Sequence, residues 1–103
     1  MTDRTDALDR LFVNADAIID SLGDEFTSQQ FLRRVIHEQQ HAYIDLLVAW
    51  SRDRNPFDKA HQHIGKALAS IMEKRGFSKD RRRDEDINIF GNPTYLTTYR
   101  KND

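Results

Sequence analysis

The chain has 103 residues and no cysteine, so disulfides and thiolate metal sites are excluded. It also lacks internal repeats and low-complexity segments. No stretch approaches the roughly 20 apolar residues of a membrane span, and the opening MTDRTDALDR has no signal-peptide apolar run. These absences predict a soluble cytoplasmic protein without a membrane partner. The length fits one domain, 1–103, able to bury a modest core.

Charge is present in both signs but is unevenly spread. Sixteen Lys and Arg face seventeen Asp and Glu, a formal net charge of −1. Residues 1–50 hold four of the basic and nine of the acidic side chains, whereas residues 51–103 hold twelve basic and eight acidic. An anionic partner is therefore expected to meet the second half.

Apolar spacing predicts three helices. Residues 1–23 contain an amphipathic helix with Leu8, Leu11, Phe12, Ala15, Ile18, Ile19 and Leu22 on one side, stopped by Gly23. A helical core spans 27–77. It opens at Thr27, an N-cap with Gln30 three residues on, and Phe26 is placed to staple against Phe31. The apolar face runs from Phe31 and Val35 to Ala42, Tyr43, Leu46, Leu47 and Trp50. The polar patch at His37–His41 leaves open whether residues 28–50 form one helix or two. The next helix starts at Asn55-Pro56, buries Phe57, Ala60, Ile64, Leu68 and Ile71, and stops at Gly76-Phe77. Gly65 in its middle hints at close helix packing. SKDRRRDED, 78–86, reads as a charged loop. Residues 87–99, INIF-GNP-TYLTTY, read as a hairpin, because β-branched and aromatic residues flank a turn signal. The expected fold is thus mainly α (α+β), three to four helices with a C-terminal β-hairpin.

Two constellations carry possible chemistry. His37-Glu38-Gln39-Gln40-His41 fits the H-E-x-x-H pattern, in which histidines one helical turn apart hold Zn²⁺ and the glutamate activates its water as base. A hydrolase of this kind needs a third protein ligand. Asp45 would strain to reach the ion, and His61, His63, Glu73 and Glu85 are candidates without a motif. Only a helix precedes the pattern, where such peptidases usually present a substrate-binding strand. The expectation is no catalytic residue and no cofactor, with zinc at His37 and His41 as the alternative.

The second constellation is basic. Helix 43–50, the turn SRDRN and helix 56–71 form a helix–turn–helix candidate. With the apolar stripe fixed, Lys59, Gln62, His63, Lys66 and Ser70 make the opposite face, able to lie in a DNA groove. Arg52 and Arg54 in the turn, and Arg81, Arg82 and Arg83 before the hairpin, are placed for phosphates.

Tyr43, Trp50, Pro56, Ile64-Gly65, Leu68, Gly76-Phe77 and the arginines at 81–83 resemble the winged-helix module at the C-terminus of phage and plasmid DNA primase–helicases. The resemblance covers roughly residues 31–99. The chain departs from it in the longer helix through ASIMEKRGF, in the acidic first helix and in having no primase or helicase attached. It implies a winged-helix fold contacting DNA through the third helix and the wing, in a non-enzymatic DNA-binding or replication-accessory protein of a mobile element. A protein-interaction module is the other expectation, with a homodimer or partner held by the apolar stripe of the first helix.

Overall fold

Thr27 caps a helix as its context predicts. Its hydroxyl accepts from the Gln30 backbone N–H at 3.2 Å, and the Gln30 side chain accepts from the Thr27 N–H at 2.7 Å. That helix is one of five in the computed structural model, which describes residues 3–102. The chain is α+β, with a three-stranded antiparallel sheet beside the helices.

The described elements are helices α1 (Arg4–Leu11) and α2 (Ala15–Leu22), strand β1 (Glu25–Thr27), helices α3 (Ser28–Glu38), α4 (Gln40–Ala49) and α5 (Pro56–Lys74), and strands β2 (Phe77–Ile87) and β3 (Pro93–Lys101). Five helices replace the expected three to four, because two amphipathic segments break. The first breaks at Phe12–Asn14, the second at Gln39, whose φ of −124° and ψ of 52° leave the helical region. The two breaks answer one another. α1 packs on α4, and α2 packs on α3, so each broken segment bends to follow the other and both keep their apolar faces covered. The core is continuous across them, from Ala7, Leu11, Ala15, Ile18 and Ile19 to Phe31, Val35, Tyr43 and Leu46, then Ile64, Leu68 and Met72 of α5.

The sheet differs most from expectation. Its order is β1-β3-β2, and the three residues of β1 carry no strand signal of their own. They pair with β3 through Glu25–Arg100, Phe26–Tyr99 and Thr27–Thr98. Phe26 therefore turns its ring to Phe77 and Tyr99, at 6.2 and 5.8 Å between centroids, while Phe31 packs on Phe12 at 5.6 Å.

The hairpin is longer than 87–99. The supposed loop 78–86 is most of β2, and Asn88–Asn92 form the connection instead of a strand followed by a turn. Charged side chains suit β2 because it is an edge strand, where charge discourages pairing with other chains. Register is regular from Phe77–Lys101 to Arg82–Leu96, then Arg83–Glu85 bulge out against Tyr95, with Asp84 at φ 56°. Pairing resumes at Asp86–Thr94.

α5 ends as read. Gly76 takes a φ of 77° after the cap at Arg75, a left-handed turn that glycine adopts without steric cost. Pro56 occupies the first turn, but the Asn55 side chain makes no capping bond.

Phe26 joins the short strand to the core with its ring almost fully buried. Phe26→Ala should lower the unfolding free energy by about 3–5 kcal/mol, measured by urea denaturation. A loss below about 1 kcal/mol would show that the β1 anchor contributes little.

Candidate nucleic-acid interface

The buried stripe of α5, Ala60, Ile64, Leu68 and Met72, fixes what its other sides present. One flank faces the hairpin. There, Gln62, Gly65 and Lys66 of α5, Lys79 and Arg81 of β2, Tyr95 and Thr97 of β3, and Ser28 and Gln29 of the first turn of α3 line a groove of about 510 Å³. Strand alternation selects these side chains. Lys79 pairs with Tyr99 and Arg81 with Thr97, so all four share the sheet face that looks at α5.

The ten residues expected at the interface are therefore divided. Gln62, Lys66 and Arg81 meet in the groove. Lys59 and Ser70 lie exposed on the outer side of α5, and Arg52 and Arg54 are exposed in the turn before it. Arg82 points to the other sheet face, where Asp80 at 3.3 Å and Glu85 at 3.8 Å neutralise it. Arg83 is exposed in the bulge. His63 is half-buried, stacked on Trp50 at 4.5 Å, with the Arg4 guanidinium 3.7 Å from the Trp50 ring centroid. Desolvation holds its imidazole below the usual value, and Lys66, Lys59 and Arg4 push the same way.

Lys79, Tyr95 and Thr97 were not among the expected residues. The signal that could have found them is the alternation of KDR against TYLTTY, visible only if the charged run is read as a strand. Gly65 is a correction of another kind. A Cβ built there meets nothing within 4 Å, so the glycine opens the groove and does not serve close helix packing.

His61 ties the hairpin connection to α5. Its ring stacks on Phe90 at 5.8 Å, and Phe90 meets Phe57 edge-on at 5.1 Å. On its other side the Tyr43 hydroxyl and His61 Nε2 share a hydrogen bond of 2.7 Å. Burial holds the His61 imidazole below its ordinary value, partly opposed by Asp58. Burial likewise pushes the Tyr43 hydroxyl up.

His37, Glu38 and His41 are not brought into a metal-binding geometry. The break at Gln39 puts the histidines on different helices, Arg34 pairs with Glu38 at 3.1 Å, and both imidazoles are exposed. Among the described residues no three His, Asp or Glu side chains could together hold a metal ion. The apolar stripe expected to hold a partner is also committed elsewhere. Leu11, Ala15, Ile18 and Ile19 are buried in the chain's own core, and Leu8, Phe12 and Leu22 pack half-buried against it. No described helix is long and apolar enough to cross a membrane.

No family model, curated protein or solved structure matches the chain.

A histidine with a lowered folded pKa leaves the extra proton to the unfolded chain. The stability it carries is fully present above the ordinary histidine value, and is lost as pH falls through that value toward the folded one. The melting temperature should therefore drop between about pH 7 and 5, with a shallower slope in His61→Phe, which keeps the ring stack but cannot titrate. An unchanged slope would remove His61 as the cause. For the zinc alternative, the expected outcome is a melting temperature that neither chelator nor added zinc shifts. Stoichiometric zinc in protein purified without a histidine tag would reverse it.

Proposed function

We propose that the chain is a non-enzymatic DNA-binding domain of winged-helix type, with α5 and the β2–β3 hairpin as its contact surface. The observation that carries this reading is the convergence of Lys66, Lys79 and Arg81, from a helix and a strand, on one groove where, among the described residues, Asp58 is the single lining acid. Cations gathered with few acids among them attract an external anion, and DNA phosphates supply a row of such charges. The order of elements supports the same reading. α4, a turn holding Arg52 and Arg54, α5 and then the β2–β3 hairpin follow one another along the chain, the order that a helix–turn–helix with a wing would have. A replication-accessory role in a mobile element is the setting that the primase–helicase resemblance implies.

The net charge of −1 does not oppose this, because a phosphate responds to the field within a Debye length, about 8–10 Å at physiological ionic strength. The groove's own lining holds Lys66, Lys79 and Arg81 against Asp58. Several acids of the first half are also engaged locally. Asp16 and Asp20 hold Arg75 at 3.1 and 2.6 Å, and Asp45 holds Arg10 at 2.9 Å.

Fluorescence anisotropy against labelled DNA at several salt concentrations tests the proposal. Affinity should fall steeply with salt, by about 0.9 log units per phosphate contact on duplex and about 0.7 on a single strand for each log unit of salt. Lys66→Ala should weaken binding and reduce that slope by about one contact. Absence of salt-dependent binding to both forms of DNA at low ionic strength would overturn the function.

A further inference from the structure

The groove is a trough and not a protruding ridge. A helix that reads duplex DNA enters a major groove about 12 Å wide with its exposed face leading. Here the Gln62–Gly65–Lys66 flank of α5 is walled by Lys79, Arg81 and Thr97 across the groove. Near one end, Phe90 packs on Phe57 and His61 and ties the hairpin connection to the start of α5. A groove of about 510 Å³ walled on both sides suits an extended single strand better than a duplex.

The lining chemistry fits such a chain. Tyr95 keeps 44% of its surface exposed while the Arg81 guanidinium lies 4.1 Å from its ring centroid, an aromatic platform backed by a cation. Phe90 and Phe57, at 48% and 44% exposure, continue the aromatic surface past the groove end. Lys66 and Lys79 supply positive charge along the trough, and Gly65 leaves helix backbone bare at its floor. Exposed rings interleaved with cations are what single-stranded nucleic acid requires, since every base offers a face to stack and every linkage an anion to neutralise.

We infer that this groove binds single-stranded DNA in preference to duplex. The inference rests on the DNA-binding function proposed above and specifies the form of DNA that the groove accepts.

The test compares a labelled oligothymidylate of roughly 16 nucleotides, the upper end of the range that small single-strand sites cover, with a blunt duplex of the same length. Both are titrated by anisotropy at low salt with wild type, Gly65→Leu and Tyr95→Ala. The single strand should bind more tightly than the duplex. Tyr95→Ala should weaken single-strand binding roughly five- to 150-fold, the span expected for one stacked base. Gly65→Leu is the decisive variant. It removes a helix-weakening glycine where a side chain meets open space, so thermal stability should hold or rise while single-strand binding falls at least tenfold. Duplex preference, or single-strand affinity indifferent to Gly65→Leu in a folded variant, overturns the inference. In either case duplex binding that still falls in Lys66→Ala leaves the DNA-binding function standing. Failure of both DNA forms to bind removes the two together.

Discussion

The fold and its candidate site both depend on the register of one strand. β3 lies between β1 and β2, and Tyr99 is the point at which both pairings meet the core. It faces Phe26 on one side and Lys79 on the other. Because side chains alternate along a strand, a slip of one residue would turn Tyr99 into solvent and rotate Tyr95 and Thr97 away from α5. The Tyr99 ring, 3% exposed, therefore sets the register through burial of its own apolar surface. The cations of β2 follow, since Lys79 and Arg81 reach the groove only while they sit opposite Tyr99 and Thr97.

What was legible in the sequence is what local chemistry decides. The capping box at Thr27, the proline start of α5, the Ala60, Ile64 and Leu68 part of its stripe and its glycine stop depend on residues within a few positions of one another, and each formed near where the sequence places it, whereas Phe57, expected in the stripe, is exposed. The missed features are those that distant parts of the chain impose. Glu25–Thr27 become a strand because β3 lies beside them, and Ser78–Asp86 become one although their composition favours a solvated loop. The polar patch at His37–His41 is compatible with one helix or two, and the break at Gln39 goes with the packing of α1 on α4 and of α2 on α3. The site was half legible for the same reason. The helix face was fixed by its stripe, but the split of Arg81 from Arg82 needed the strand.

That split illustrates how charge becomes chemistry. The three adjacent arginines look equivalent as sequence. In the fold one lies over a tyrosine in the groove, the next is paired with two carboxylates, and the third rides on a bulge. An exposed ion pair of the Arg82 kind contributes little to stability, yet it offsets that cation's charge locally. Local neutralisation of this sort makes the Lys66–Lys79–Arg81 cluster distinct from the surrounding charged surface.

The pairing of Glu25 with Arg100 closes a separation of 75 residues. Made vectorially, the chain must complete all five helices before the partner of β1 exists. At about 5–20 residues per second, β1 waits roughly 4–15 s for β3 to be synthesised, with Phe26 and the underside of α3 lacking their final cover. The helical part, built from near neighbours, is suited to form early, and the sheet is the late and slower step. Newly made chains thus pass through an interval in which an apolar helical layer is exposed and the groove does not yet exist.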